Sequence, residues 1–516
     1  MSFTTLSFLV FFAVVFWGYY LIPKKGQWMW LCAASVIFYA FASLWSLCYL
    51  FGTALVSYGA ARYLSAQDER CRAASEGLGK AERSALKKKF GKKKRAVTAI
   101  AVIALIGTLV AVKYTGFFAD TLGALTKREL SLPFDILLPV GLSFYLFQSV
   151  AYLVDVSRGN YPAERNFFRY LLYISYFPHV LQGPLDDYTS VSSQLYASRE
   201  FDGERAVRGA QRAAWGFFKK LVIANQISVI VSPVFAAGGQ DGMSTVLCVF
   251  LYSIQLYADF SGYMDIAIGC SEMLGVRIAE NFRAPYFSGS IAEFWRRWHI
   301  TLGTWFKNYL FYPLLRSRGL TKLRKALKKD KYLSSALPTA IALSVVWLLI
   351  GFWHGANWSY VFYGIYHGFF IVAETIFAPL YAKFHEKFPK LQKNAAFRAF
   401  RVVRTFVLVT VGYYLFAPAS LGVTVTLLRD SLHFDGGAFV AFLTTNLREL
   451  IVAIAGTAAL TFVDLRSLRE NRLPVGEVIS RKQGWVRALL YGLFLFVILF
   501  FGLYGSGFDQ FAYFKF

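Results

Sequence analysis

Charged residues are scarce in this sequence of 516 residues: Asp, Glu, Lys and Arg together make up 16%. Soluble globular domains carry about 25% charged residues. Hydrophobic residues make up 56%, and the mean hydropathy is +0.45. Such a composition leaves too little polar surface to cover a water-soluble fold of this length. It excludes an ordinary soluble protein and predicts a polytopic integral membrane protein.

Cysteine is also sparse, and the familiar catalytic signatures are missing. The five cysteines lie in or beside apolar runs without paired spacing, which predicts small apolar side chains and neither a metal site nor a disulfide framework. No HExxH, GxSxG or Walker motif occurs, and no GxGxxG motif has a fitting context. The sequence therefore offers no motif for a zinc protease, an α/β-hydrolase, or a P-loop or dinucleotide-binding enzyme.

Acidic residues are outnumbered by basic ones, 30 against 55, giving a net charge of +25. In a soluble chain this excess would favour nucleic-acid binding. Here the basic residues lie between apolar runs, most densely at 87–95 and 322–331, as expected for cytoplasmic loops of a membrane protein. The pattern therefore predicts contact with the lipid bilayer and no nucleic-acid partner.

Apolar runs of about 20 residues are long enough to cross a bilayer as helices, which predicts an all-α membrane fold. The first run lacks a basic n-region and a cleavage site, so it is predicted to be a retained span and not a signal peptide. The predicted spans are 5–22, 28–44, 46–65, 96–113, 136–155, 219–236, 244–271, 333–350, 359–381, 403–418, 447–464 and 487–504.

Loop charge predicts the orientation of these spans. Basic loops follow every odd-numbered span, including the run at 83–95, which places both termini outside the cytoplasm. Pro178 and Pro184 argue against a straight helix at 166–197. The Trp- and Arg-rich stretch 282–315 is typical of interfacial helices. One membrane domain, 1–516, is predicted, with a core at about 100–380 and further C-terminal spans at about 400–505.

His354 is the most prominent candidate for chemistry. It lies in the run Gly351-Phe352-Trp353-His354-Gly355, inside an apolar stretch from 333 to 381 that is too long for one crossing. Two helices with a break at 351–355 are therefore predicted. An ionisable side chain at such a break indicates a functional site. The alternative is a structural histidine that bonds to a neighbouring carbonyl or lies at the outer interface.

His299 is the second candidate, at the end of the run Trp295-Arg296-Arg297-Trp298-His299. This density of Trp and Arg is typical of an anchoring helix at the membrane interface. Two histidines in different surroundings would nevertheless suit an acyl transfer. One imidazole could act as general base on a hydroxyl, and the other could polarise or position the acyl carbonyl.

Two carboxylates, Asp259 and Asp265, fall inside an apolar span, where acidic side chains pair or line polar cavities. We predict that they orient a neighbouring His or Arg. The other histidines are weaker candidates, because His367 is not on the helical face of His354 and the rest sit in loops or irregular segments. The remaining predicted supporting residues flank the two histidines and are Arg296, Arg297, Trp298, Trp353 and Asn357.

Several motifs resemble the membrane-bound O-acyltransferase (MBOAT) family, in particular its bacterial alginate O-acetyltransferase-like branch. The most specific are the blocks ending in RRWH at 296–299 and WHG at 353–355, in that order. His179 departs from the resemblance, since Gln is more common in the family at its position. The other similar segments are 138–148, 257–269, 280–295, 366–368 and the aromatic end 511–516.

The resemblance implies a multi-span fold with re-entrant or interfacial helices and a central funnel. It implies that His354 is the essential histidine and His299 the second active-site histidine. An acyl group would pass from a cytoplasmic thioester, acetyl-CoA or an acyl carrier protein, to a hydroxyl of an extracytoplasmic polysaccharide, with no bound cofactor or metal. An extracytoplasmic SGNH-type acetyltransferase is the implied partner, and the cell (inner) membrane the implied location.

Two other functions remain open at this point. A transporter of lipid-linked sugars would share the spans and buried charges, but such proteins often show internal symmetry, which is not found here. A D-alanyl transferase for teichoic acid belongs to a sister branch of the same family. Its members are typically shorter, so the C-terminal spans favour the alginate-like branch.

Overall fold

A computed structural model of the chain describes residues 1–128, 139–418, 420–469 and 475–505. These residues are built from helices, and the only β-type pairing among them is an isolated antiparallel bridge between Phe282 and Trp298. The all-α prediction is confirmed. Of the family-like segments, Leu138 and the aromatic end at 511–516 lie outside the described residues.

The chain forms two compact units. The first comprises residues 1–210 and 267–279. A short 3₁₀-helix covers Lys24–Gly26. Its α-helices are α1 (Leu6–Leu21), α2 (Gln27–Ala40), α3 (Leu44–Ala73), α4 (Lys80–Lys113), α5 (Thr115–Thr126), α6 (Leu142–Arg158), α7 (Phe167–Ser175), α8 (Tyr188–Tyr196) and the start of α9 (Gly203–Phe217).

The second unit comprises residues 211–266 and the described residues from 280 onward. Two π-helical segments, Phe218–Ala224 and Lys307–Phe311, and a 3₁₀-helix, Pro285–Phe287, interrupt it. Its α-helices begin with the end of α9 and are α10 (Asn225–Ala237), α11 (Gly242–Met273, whose end lies in the first unit), α12 (Ile291–Arg297), α13 (Ile300–Phe306), α14 (Tyr312–Leu315), α15 (Arg318–Ala326), α16 (Leu333–His354), α17 (Trp358–Ile376), α18 (Ala378–Lys387), α19 (Pro389–Lys393), α20 (Ala395–Phe416), α21 (Leu421–Asp430), α22 (Gly436–Thr445), α23 (Leu447–Ser467), α24 (Val475–Ser480) and α25 (Gly484–Phe501).

Nine of the twelve predicted spans correspond to helices of spanning length. Eight described helices are long and apolar enough to cross a membrane, and α17 with α18 makes a ninth if that pair, bent by 60°, is one span. One of the eight is the continuous stretch Gly203–Ala237, which joins α9, the π-helical segment and α10. Hydropathy therefore located these segments correctly.

The predicted spans at 5–22, 28–44 and 136–155 correspond to shorter helices among the described residues. Helices α1, α2 and α6 have 16, 14 and 17 residues. At 1.5 Å per residue they are about 21–26 Å long, short of the roughly 30 Å hydrocarbon core. Helix α6 is shorter than the predicted span because it begins only after Gly141, whose backbone is left-handed (φ 77°).

The charge of the run at 87–95 predicted a loop. The run instead lies in the first half of α4. Lys, Arg and Ala are strong helix formers, so the helix continues beyond its apolar half. Lys94 joins it to α3 through an ion pair with Asp68 at 2.6 Å. The predicted break within 166–197 is confirmed, since α7 ends at Ser175 and α8 begins at Tyr188.

Candidate active site

His354 is the last residue of α16, where the chain turns back into α17. Gly355 follows the first helix, and Asn357 caps the second by accepting a hydrogen bond from the backbone N–H of Ser359 at 2.9 Å. The predicted pair of helices is confirmed. The break falls at 355–357 and not at 351–355, because Gly351 continues α16.

Glycines allow α16 and α17 to pack backbone against backbone. A Cβ atom on Gly364 would lie 2.5 Å from the carbonyl oxygen of Trp347, and one on Gly351 would lie 2.5 Å from that of Tyr360. Both distances are shorter than real Cβ contacts, so a side chain at either position would push the helices apart. This close packing fixes the position of His354 relative to α17.

The imidazole of His354 is buried, with 3% of the residue exposed, and aromatic rings surround it. Ring centroids lie 5.0 Å away for Trp353, 5.1 Å for Phe416 and 5.9 Å for Tyr363. These rings come from α16, α20 and α17, so three helices surround one titratable group.

His299 lies between α12 and α13, outside the helices of spanning length. Its backbone is left-handed, with φ 47° and ψ 52°, a conformation that few residues other than glycine adopt. Only 2% of the residue is exposed. Burial lowers the pKa of His299 to about 3, because imidazolium would lose its hydration there. The ring is therefore a neutral imidazole at physiological pH.

Trp353 brings the two predicted histidines into one site. Its indole lies 5.0 Å from the imidazole of His354 and 5.8 Å from that of His299, between ring centroids. Phe260 packs against the other side of His299 at 4.8 Å. Segments that are far apart in the chain thus meet at a single buried group of rings.

The residues around His299 differ in their surroundings. Trp298 is buried and stacks on Phe294 at 5.4 Å. Arg297 forms an ion pair with Glu293 at 2.6 Å, one turn earlier in α12. Arg296 is exposed. Among the three predicted supporting residues, Trp298 is therefore the one that packs within the aromatic core.

The two predicted carboxylates are buried and paired with cations. Asp259 accepts from the Lys220 ammonium at 2.6 Å. Asp265 accepts from Arg212 Nε at 2.6 Å and pairs with Lys219 at 2.5 Å. A histidine or an arginine partner was expected for these carboxylates, and Arg212 fits that expectation for Asp265. The two buried lysines were not expected.

Lys219 and Lys220 are consecutive residues of the π-helical segment 218–224, and they are 4% and 3% exposed. Neither lysine was among the predicted site residues. A usable signal existed: two adjacent lysines began the predicted span 219–236, and two aspartates lay inside the next one. Buried charges of opposite sign in neighbouring spans generally pair.

His367, predicted as a weaker candidate than His354, lies close to both Trp295 and Tyr363. It is fully buried on α17, and its Nδ1 accepts a hydrogen bond from the Trp295 indole N–H at 3.3 Å. The ring of Tyr363 lies 4.6 Å from His367 and 5.9 Å from His354. Helical spacing had argued against this arrangement, but the tyrosine between the two histidines brings them into one group of rings.

The remaining histidines lie elsewhere. In the first unit, buried His179 donates from Nε2 to the carbonyl of Tyr173 at 2.9 Å, and its Nδ1 lies 3.9 Å from Asp186. His385 lies in α18 and not in a loop, and His433 is exposed in a turn. Within the described residues, no group of three or more His, Cys, Asp or Glu is placed to hold a metal ion.

Two buried histidines thus lie beside one indole, and the described part of the chain contains eight helices of spanning length, or nine if the bent pair is one span. Residues 162–416 match the membrane-bound O-acyltransferase (MBOAT) family, and the chain belongs to that family. It is a multi-pass membrane protein and an O-acyltransferase. The resemblance noted from the RRWH and WHG blocks is confirmed.

Similar proteins include members from three branches. The chain is 31% identical over 478 residues to a probable alginate O-acetylase of Pseudomonas syringae pv. tomato, covering 92% of this chain and 83% of that protein. It is 28% identical over 425 residues to a peptidoglycan O-acetyltransferase of Helicobacter pylori, covering 75% and 73%. It is 28% identical over 288 residues to a teichoic acid D-alanyltransferase of Bacillus subtilis, covering 55% and 70%.

Proposed function

We propose that this enzyme moves an acetyl group from a cytoplasmic thioester, acetyl-CoA or an acyl carrier protein, to O-acetylate an extracytoplasmic polysaccharide. The observation that carries the proposal is the position of Trp353 between His354 and His299, which brings two imidazoles into one buried site. Relatives named alginate O-acetylase and peptidoglycan O-acetyltransferase support the reaction and the polymer class.

In the proposed reaction, His354 acts as general base. It takes the proton of the attacking hydroxyl while the oxygen bonds to the thioester carbonyl carbon, and the C–S bond then breaks. The same proton passes to the departing thiolate, so atoms and charge balance. His299, neutral because of its burial, positions the acyl group. Trp353 packs against both imidazole rings, Trp298 stacks on Phe294 next to His299, and Asn357 caps the turn after His354.

The proposed orientation follows from charge. The basic residues between 316 and 331 lie at the cytoplasmic face by the positive-inside rule. The 22 residues of α16 then rise about 33 Å, which brings His354 toward the outer side of an inner membrane. A polymer outside the cytoplasm, or an SGNH-type acetyltransferase that completes the delivery, would accept the acetyl group there. The whole chain would act as one catalytic domain.

The test is transfer of labelled acetyl from acetyl-CoA or an acetylated carrier protein by the purified protein in lipid nanodiscs. Mass spectrometry of cell-envelope glycans with and without the gene then identifies the acceptor. Ester-linked acetyl groups that disappear with the gene are expected, and loss of D-alanyl esters would instead select the sister branch. Transport of a lipid-linked sugar without consumption of thioester would overturn the enzymatic proposal.

A further inference from the structure

Asn281 is fully buried and makes four hydrogen bonds, three of them to the start of α13. Its backbone carbonyl accepts from the N–H of Ile300 at 3.1 Å. Its side-chain oxygen accepts from the N–H of Thr301 at 3.0 Å and from the Thr301 hydroxyl at 2.7 Å. Its amide group donates to the sulfur of Met264 on α11 at 3.2 Å. One amide side chain therefore joins α11 to α13.

The first N–H groups of a helix have no partner within the helix, and the side chain of the residue before it usually provides one. In α13 that preceding residue is His299, and its side chain makes no capping bond. Asn281 supplies the acceptors from a different segment. Asn281 therefore caps α13 from a separate segment of the same chain.

We infer that Asn281 is a positioning residue for acyl transfer: by capping α13 in place of His299, it holds that histidine in its left-handed backbone conformation, with its ring against Phe260 and Trp353. The inference rests on the proposed function in one respect, namely that His299 acts in the transfer. Asn281 itself does not touch the substrate.

Neighbouring contacts hold the same turn. The N–H of Arg283 donates to the carbonyl of Arg297 at 3.0 Å, so the segment after Asn281 runs beside the segment before His299. On α11, Met264 receives the Asn281 amide bond and Phe260 packs against the His299 ring. Without the Asn281 acceptor, two buried donors of Thr301 lose their partner, which costs about 1–3 kcal/mol. The backbone at His299 would then relax toward an ordinary conformation.

The test compares kcat and KM of three variants in nanodiscs. Asn281→Ala should lower kcat by about 10²-fold, the usual effect of a small displacement of a catalytic group, with the KM for the thioester little changed. Asn281→Asp keeps the acceptor for Thr301 but loses the donor to Met264, so its kcat should lie between that of Asn281→Ala and that of the wild type. Thr301→Val loses one of the two side-chain bonds and should lower kcat less than Asn281→Ala. Thr304→Val, exposed on the same helix, is the matched control and should behave as wild type.

A double variant separates positioning from mere stability. If Asn281 acts through His299, then Asn281→Ala should cause no further loss in a His299→Ala background. Equal losses in both backgrounds, or a wild-type kcat for Asn281→Ala, would overturn the inference. A fully active His299→Ala would instead overturn the role proposed for His299. If Asn281→Ala does not fold, Thr301→Val decides, and a wild-type kcat for that variant counts against the inference.

Discussion

The indole of Trp353 lies 5.8 Å from the imidazole of His299, although the two residues belong to separate helical segments. The same indole adjoins His354, so any shift of α16 against α13 would change the distance between the two histidines. The site therefore depends on helix packing as much as on the two titratable groups.

The first prediction concerns His354. His354→Gln keeps a polar side chain of similar reach and removes the base, so transfer should fall by about 10²–10⁴-fold. His299→Ala should cost less, because Trp298 still packs on Phe294 and holds the surrounding helix. Initial rates of acetyl transfer show which of the two substitutions costs more activity. His433 is exposed, so His433→Gln is the control. A near wild-type His354→Gln beside an inactive His299→Ala would reverse the two roles.

The second prediction concerns pH and follows from the lowered pKa of His299. The unfolded chain binds a proton at this histidine below about pH 6.5, whereas the folded protein binds it only near pH 3. The unfolded state therefore binds more protons within that window, so stability should fall as pH drops from 6.5 toward 3. Thermal unfolding measured from pH 7.5 to 4 should show a smaller decline for His299→Gln than for wild type. Parallel declines would contradict the buried, neutral imidazole.

The third prediction concerns the packing of α16 on α17. Gly364→Ala places a methyl 2.5 Å from a backbone carbonyl, so the helices must separate. We expect both thermal stability and acetyl transfer to drop, since His354 moves with α16. Gly107→Ala, on α4, is the control, because nothing lies within 4 Å of a Cβ atom built at that position. A Gly364→Ala variant as stable and active as Gly107→Ala would mean that the close packing is dispensable.

The fourth prediction concerns the basic run at 87–95. Replacing its Lys and Arg residues with Gln should keep α4 helical, since Gln is also a good helix former. Membrane orientation or surface contact should change before catalysis does, because positive charge governs both. Protease accessibility of tagged termini measures orientation, and acetyl transfer is measured on the same preparation. A correctly inserted variant without any transfer would place this run in the donor site.

Sequence patterns predicted the long spans well, because about 20 consecutive apolar residues are required for crossing whatever the tertiary structure. Composition could not show where a shorter apolar helix begins. Gly141 illustrates this. Helix α6 begins after its left-handed backbone, several residues into the predicted span, and a hydropathy value carries no information about that conformation. The helical basic run was missed because a charge rule says nothing about secondary structure.

The candidate site was predictable in part. His354 and His299 stood out because each is an ionisable residue in a distinctive aromatic motif. Their neighbours did not stand out, because the contacts join residues far apart in the chain. Asn281 looks like an ordinary loop residue until its oxygen is seen on Thr301, and His367 looks misaligned until Tyr363 is placed between it and His354.

The paired lysines of the π-helical segment have a consequence for biogenesis. A lysine at the centre of an isolated membrane helix costs about 2.5–3.5 kcal/mol on insertion scales, and Lys219 and Lys220 are adjacent. Their partners, Asp265 and Asp259, are synthesised later, on α11. The helix that carries the lysines is therefore poorly suited to lipid until α11 has emerged, which favours release of the two helices from the insertion machinery as a pair.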